Sequence, residues 1–147
     1  MTLLKFRKAT KKDIQGVAIL MLSEFKKPPY NEKTSLKSVI KSLKYFLKIG
    51  KIFMTVKRKE IVGVMVFKIE QWWQGKVIII EDLAIKQEFK KQSIGKKLLK
   101  KIEAFAKNNK IKLVCLKTNK KSKAIKFYKK YGYTIRTDII EIEKKLF

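Results

Sequence analysis

The sequence contains no histidine, a single cysteine and only two prolines in 147 residues. The missing histidine removes the usual general base of enzymes and the commonest transition-metal ligand, so hydrolytic triads and a bound metal ion are not expected. Cys115 has no second cysteine to pair with, which suits a reducing compartment. No apolar run approaches the length of a membrane span, and residues 1–13 lack the apolar core of a signal peptide. We therefore expect a cytoplasmic protein that does not associate with a membrane.

Acidic residues are also scarce, with 12 Asp and Glu against 38 Lys and Arg and a formal net charge of +26. Such a field concentrates polyanions such as nucleic acid, CoA or acidic protein surfaces around the chain. The lysines are spread over every segment, however, and no stripe of exposed aromatic residues is interleaved with them. This distribution is typical of solvated lysine-rich faces, so nucleic-acid binding is possible but not favoured.

With 46% apolar residues, the chain is long enough to bury a core of its own, and we expect a single domain over residues 1–147. Periodicity predicts helices at residues 14–25, 36–47 and 94–107, and a fourth that Asn119 caps and Gly132 ends. Strand patterns cover residues 3–7, 52–56, 61–69, 77–85 and 111–116, and a final pair at 133–136 and 139–143. This order favours a mixed α/β fold of the α+β type, with a central twisted mixed sheet of about six to seven strands and helices on both faces.

The most informative segment runs through residues 77–107, where a buried strand passes through a short basic turn into an amphipathic helix. Residues 77–85 are apolar except at Glu81 and Asp82, and from Ile94 onward the apolar residues recur at helical spacing. The first backbone N–H groups of a helix have no partner within it, and we expect Ser93 to cap this helix start. The helix dipole and the adjacent lysines favour a phosphate or pyrophosphate at the turn.

Residues in this turn resemble the acetyl-CoA motif of the GNAT superfamily of N-acetyltransferases, Gln/Arg-x-x-Gly-x-Gly/Ala. The matching positions are Lys90, Lys91, Gln92, Ser93, Ile94 and Gly95. Lys90 keeps the positive charge without the planar fork of arginine, and Ser93 stands where the family has a glycine. Further along, the chain is similar to the family's second motif, which leads from an asparagine through Ala-x-x-Phe-Tyr to Gly-Phe. Its counterparts are Asn119, Ala124, Phe127, Tyr128, Gly132 and Tyr133.

The resemblance implies an acetyl-CoA-dependent N-acetyltransferase that moves an acetyl group by direct transfer to an amine of a small molecule or protein, as a monomer or homodimer. It implies that backbone groups of the strand bind the pantetheine arm, that residues 90–96 bind the pyrophosphate, and that Asn119 contacts the cofactor. The cofactor-binding residues are then Leu83, Ala84, Ile85, Lys90, Lys91, Gln92, Ser93, Ile94, Gly95, Lys96 and Asn119. Tyr128 matches the tyrosine that protonates the departing CoA thiolate, although its helical spacing also fits a core aromatic residue.

Glu81 is the first candidate for the general base, because a carboxylate that interrupts an apolar strand is partly desolvated and its pKa rises toward neutrality. An ion pair with a lysine or a solvated strand end would explain Glu81 equally well. Asp82 is its rival, and regular alternation would point the two side chains to opposite faces, so that only one lines the cleft. The apolar surroundings of Cys115 indicate a buried structural thiol and not an acyl carrier.

The acceptor cannot be read from the sequence. Tyr30, Trp72 and Trp73 are candidates for the acceptor cleft, and the positive field argues against a polyamine because it would repel one. Two other classes of function stay open. One is a non-catalytic, basic nucleic-acid-binding protein; the other is an acyl-CoA-binding regulator without turnover, which the departures at Lys90 and Ser93 suggest.

Overall fold

The computed structural model describes residues 3–147. In chain order the elements are β1 (Leu4–Lys8), α1 (Ile14–Phe25), α2 (Leu36–Ile49), β2 (Gly50–Lys57), β3 (Glu60–Trp72), β4 (Gly75–Ile85), α3 (Ile94–Asn108), β5 (Leu113–Leu116) and α4 (Ala124–Lys130). Short 3-10 turns, Lys11–Asp13 and Gln87–Phe89, stand before α1 and α3. The chain forms two compact units, one up to Lys117 and one at Thr118–Phe147. A single domain over residues 1–147 stays a prediction.

The first unit is built on a mixed sheet with the strand order β1-β2-β3-β4-β5. The first four strands pair antiparallel, and β5 runs parallel to β4. Charged residues turn β2 into β3, and Gly75, with a φ of +127°, turns β3 into β4. Only glycine adopts such a φ without strain. The predicted mixed α/β class is confirmed.

Helices cover both faces of this sheet. On one face α1 and α2 pack on alternate residues of the central strands, with Val17, Leu43, Met54, Val64 and Val66 fully or almost fully buried. On the other face α3 buries Leu98, Leu99 and Ile102, and its Phe105 ring lies against those of Phe53 and Phe67. α2 and α3 are amphipathic and α1 is largely apolar, so burial of their apolar residues holds all three to the sheet.

The sheet of the described residues has five strands, where six to seven were expected. The predicted strands at 133–136 and 139–143 are wrong, because these residues form neither helix nor strand. Ile140 and Ile142 are 80% and 86% exposed. Strand-forming residues become a strand only where a neighbouring edge accepts their ladder hydrogen bonds, and the sequence pattern does not report that edge. No helix within residues 3–147 is long and apolar enough to cross a bilayer.

In the second unit, the prediction that Asn119 caps the last helix is wrong. The Asn119 Oδ1 atom accepts the N–H of Lys121 at 2.8 Å and forms an Asx turn instead. It is Ser122 whose hydroxyl accepts the N–H of Ala124, the first residue of α4, at 3.0 Å. Gly132 follows the helix with a φ of +92°, which confirms the predicted end.

Candidate active site

A β-bulge lies at the two carboxylates of β4. Val66 of β3 stands opposite Asp82, but the next residue, Phe67, stands opposite Ile80, so Glu81 is left without a partner. The Glu81 Oε1 atom lies 3.0 Å from Nζ of Lys68, which shares the face of β3 that carries Val66. The Glu81 and Asp82 carboxylates therefore both reach the α1/α2 side of the sheet. The expected alternation is wrong here because the bulge inserts one residue.

Beyond the bulge, one edge of β4 is open. The parallel pairing with β5 joins Val77 to Leu113 and ends where Ile80 meets Leu116. From Glu81 to Ile85, no strand in the described part of the chain pairs with this edge. Unpaired backbone N–H and C=O groups at a strand edge can bind an extended ligand in the way an added strand would. Leu83, Ala84 and Ile85, which were expected to hold the pantetheine arm, lie on this open edge.

The chain then turns into α3, whose first intrahelical hydrogen bond runs from the N–H of Lys97 to the carbonyl of Ser93 at 3.1 Å. The N–H groups of Ile94, Gly95 and Lys96 consequently have no acceptor within the helix. The Ile94 side chain is buried against β3, where a Cβ on Gly63 would lie only 2.7 Å from its Cγ2 atom. This close approach holds the helix start next to the open edge, and the helix dipole favours an anion there.

Ser93 has a left-handed backbone, with φ +58° and ψ +25°, and its side chain makes no capping hydrogen bond. The expectation that it caps α3 is wrong, because a capping residue is extended, so that its side-chain oxygen reaches the free N–H groups. A left-handed conformation costs a residue with a Cβ about 1 kcal/mol and costs glycine little. The glycine of the resembling motif suits this position for that reason.

The side chains of the turn differ in their freedom. Lys90 Nζ lies 3.2 Å from Glu24 Oε1, and Lys27 binds the other oxygen of the same carboxylate at 3.0 Å. Lys90 is therefore tied to α1. Lys91 and Gln92 are exposed at the turn.

A cleft of about 470 Å³ opens between α1, α2, the loop that joins them and β4. Its walls include the rings of Phe25, Tyr30 and Phe46 and the side chains of Glu32 and Asp82. Of the three aromatic residues expected at the acceptor cleft, Tyr30 lines it. Trp72 does not, and Trp73 is fully exposed in the β3–β4 turn.

Asp82 is the titrating group of this cleft. Burial raises its pKa to about 6, and the negative charges of Glu81 and Glu32 act in the same direction. No other group within residues 3–147 forms a hydrogen bond or an ion pair with the Asp82 side chain. A carboxyl group that titrates near neutrality and faces a cleft is suited to accept a proton there.

Glu81, by contrast, is bound to a lysine. Lys68 bridges Glu81 at 3.0 Å and Glu70 at 3.4 Å, and the pKa of Lys68 is raised chiefly by its hydrogen bond to Glu81. An ion pair was the alternative left open for Glu81. Its catalytic role stays a prediction.

Tyr128 and Cys115 lie in surroundings that are ordinary for an aromatic residue and for a cysteine. Tyr128 is 6% exposed, and its ring makes edge contacts with Phe127 at 5.0 Å and Tyr133 at 5.4 Å. Cys115 lies half-buried in β5 opposite Ile79, less enclosed than its apolar neighbours suggested. The roles of Tyr128 and Asn119 stay predictions.

Glu32 is the cleft residue that sequence reasoning missed. It follows the proline loop and has no periodic neighbours that would assign it a face. Composition could have identified Glu32, because acidic residues are rare in this chain and binding residues are often found in loops.

Several solved structures share this fold. A possible acetyltransferase from Clostridium difficile 630 has 16% identity and a TM-score of 0.83, over 97% of this chain and 99% of its own. An aminoglycoside N-acetyltransferase in complex with CoA has 12% identity and a TM-score of 0.83, over 99% and 97%. A predicted acetyltransferase with acetyl-CoA from Clostridium acetobutylicum has 17% identity and a TM-score of 0.76, over 96% of both chains.

No match was found among curated proteins. The family model for the acetyltransferase (GNAT) family matches residues 19–133, which is well over half of the sequence and includes the bulge, the open edge, the turn and α3. The chain is an acetyltransferase that belongs to the GNAT family.

Proposed function

We propose that this enzyme transfers the acetyl group of acetyl-CoA directly to the primary amine of an acceptor bound in the cleft. The observation that carries the proposal is the open edge of β4, which has the anion-binding start of α3 after one end and the Asp82 carboxyl at the other. One strand thus brings together a backbone surface for an extended thioester arm and a proton acceptor for an amine.

The cofactor would be bound mainly by backbone groups. The pantetheine arm would pair with the open edge at Leu83, Ala84 and Ile85, in the manner of an added strand. Its pyrophosphate would accept hydrogen bonds from the free N–H groups at the start of α3, with the charge of Lys91 nearby. Such contacts tolerate the differences from the family motif at Lys90 and Ser93, because a backbone N–H group can donate a hydrogen bond whichever side chain its residue carries.

The reaction needs one proton acceptor and one proton donor. The amine substrate arrives as an ammonium group, and Asp82 takes its proton. The free amine attacks the thioester carbonyl to give a tetrahedral intermediate, which collapses to the amide as the C–S bond breaks. The CoA thiolate takes the Tyr128 proton and leaves as the thiol, and the proton that the nitrogen loses on forming the amide restores the phenol. Asp82 is favoured over Glu81 as the base because the Glu81 carboxylate is already bound by Lys68. Tyr128 remains the proposed donor to the thiolate.

Ligand-induced stabilisation tests the proposal against its two alternatives. Acetyl-CoA at a hundred times its Kd should stabilise the fold by about 2.7 kcal/mol, measured as a rise in Tm, and CoA should be released when an amine is added. A stabilising effect without CoA release for any amine would support the acyl-CoA-binding regulator. Stabilisation by short DNA with none by acetyl-CoA would support the nucleic-acid-binding protein.

Tyr128→Phe separates catalysis from packing at that position. The substitution keeps the ring and its contacts with Phe127 and Tyr133, so the fold and the Kd of acetyl-CoA should be retained. If the hydroxyl protonates the thiolate, kcat should fall about 100-fold. Tyr131→Phe, which removes a hydroxyl from the same aromatic cluster, is the matched control. An unchanged kcat would leave Tyr128 as a core residue.

A further inference from the structure

The acceptor cleft is free of basic residues in a strongly basic protein. Lys and Arg make up 38 of the 147 residues, yet every described residue that lines the cleft is uncharged or acidic. The two charged members of the lining are Glu32 and Asp82. The cleft therefore has the opposite charge from the surface around it.

These two carboxylates also differ from others in the chain by having no cationic partner. Glu24, Glu60 and Glu81 each bind a lysine. Within residues 3–147, the side chains of Glu32 and Asp82 form neither an ion pair nor a hydrogen bond, although their charges interact with each other. Two like charges that line one cleft give it a negative potential, which favours a ligand that supplies positive charge.

The remaining lining suits ammonium groups. The rings of Phe25 and Tyr30 meet edge to face at 5.1 Å, and Phe46 adds a third ring. Aromatic faces attract cations, and the effect grows where the cation is partly desolvated. Thr34 and Ser42, whose side chains carry hydroxyl groups, also line the cleft.

We propose that the acceptor is a small molecule with two ammonium groups, one acetylated beside Asp82 and the other bound by Glu32 and the aromatic rings. This inference rests on the proposed function. Glu32 is exposed to solvent at the cleft, so an acceptor with a single ammonium group would leave it without a counter-charge, whereas a second ammonium group would pair with it. The net charge of +26 argued from composition against a polyamine, but exposed charges are screened beyond about 8 Å in physiological salt, so the nearest carboxylates decide the potential inside the cleft.

Calorimetry with the CoA-bound protein tests this recognition without requiring turnover. We expect 1,5-diaminopentane to bind at least about tenfold more tightly than 1-aminopentane, which has the same chain length and one charge fewer. Comparison of 1,5-diaminopentane with a sugar that carries two amino groups distinguishes an aliphatic from a cyclic acceptor, because the two compounds carry the same charge. Equal affinities for the diamine and the monoamine would overturn the inference.

Neutralising the charge of Glu32 tests whether this residue binds the second ammonium group. Glu32→Gln should reduce the preference for the diamine over the monoamine about tenfold. Glu103→Gln makes the same change in net charge on α3, outside the cleft, and should keep the preference. A preference that survives in Glu32→Gln would show that Glu32 does not bind the second group. Selective diamine binding without any release of CoA from acetyl-CoA would instead overturn the proposed function and leave the charge recognition standing.

Discussion

Asp82→Asn should remove most of the turnover and, at neutral pH, make the fold more stable. The folded-state pKa of about 6 lies above the value of about 3.9 for an unfolded aspartate. Between these values the folded chain binds a proton that the unfolded chain has lost, so the free energy of unfolding falls as pH rises from about 4 to 6. Above pH 6 the penalty is complete, and we expect about 1–3 kcal/mol for a carboxyl at a cleft that water reaches.

Asp82→Asn should lower turnover, although it raises stability. A base must be deprotonated to work, so the rate of the parent enzyme should rise with pH through an apparent pKa of about 6. Asp82→Asn should lose this limb and lower kcat about 10²–10⁴-fold, while the Kd of acetyl-CoA changes little. Tm measured from pH 4.5 to 7.5 should vary less with pH in the variant than in the parent.

Glu81→Gln is the matched control, because it changes the neighbouring carboxyl on the same bulge. If Asp82 is the base, Glu81→Gln should keep the acidic limb of the profile. The reverse pattern, with the limb lost in Glu81→Gln and kept in Asp82→Asn, would return the role to Glu81. An Asp82→Asn variant with full activity and unchanged Tm would contradict both claims, that the Asp82 charge destabilises the fold and that Asp82 is the general base.

Substitution of Ser93 should separate ligand binding from helix stability at the start of α3. In Ser93→Asp a carboxylate is placed on the residue that precedes the free N–H groups, close to where the pyrophosphate would bind, although it does not cap them. Repulsion between like charges should weaken acetyl-CoA binding at least tenfold, or about 1.4 kcal/mol. Aspartate tolerates a left-handed backbone better than most residues, so the Tm should change little.

Ser93→Gly should act in the other direction. Glycine removes the strain of the left-handed conformation, and no side-chain cap is lost, so we expect a gain of up to about 1 kcal/mol in stability and binding at least as tight as in the parent. A serine that capped the helix would give the opposite result, a slight loss of stability on change to glycine.

Ser35→Asp is the control for both variants, because Ser35 caps α2 with an extended backbone and a hydrogen bond to the N–H of Ser38 at 3.1 Å. Aspartate is an equally good cap there, so Tm and acetyl-CoA affinity should both be retained. If calorimetry found that Ser93→Asp bound acetyl-CoA as tightly as the parent, the phosphate turn would not lie at residues 90–96.

Much of the local structure was determined by the sequence itself. The predicted start of α3 at Ile94, the end of α4 before Gly132 and the strands at residues 52–56 and 61–69 are all confirmed. These features depend on periodicity, on turn residues and on glycine conformations, which act over a few neighbouring positions. The basic turn after a buried strand, which pointed to the family, is local in the same sense.

Only the tertiary structure decided how the site is assembled. The bulge that turns Glu81 and Asp82 to one face depends on the register with β3, and a register is a property of two strands. Glu32 and Asp82 are 50 positions apart in the numbering, and they line one cleft because α1 packs on β3 and β4 and the loop that follows α1 carries Glu32. The lost strands at 133–136 and 139–143 show the same dependence, since a strand needs a partner edge that its own residues do not encode. Local patterns specify elements, whereas the charge and shape of a cleft arise from residues that only packing brings together.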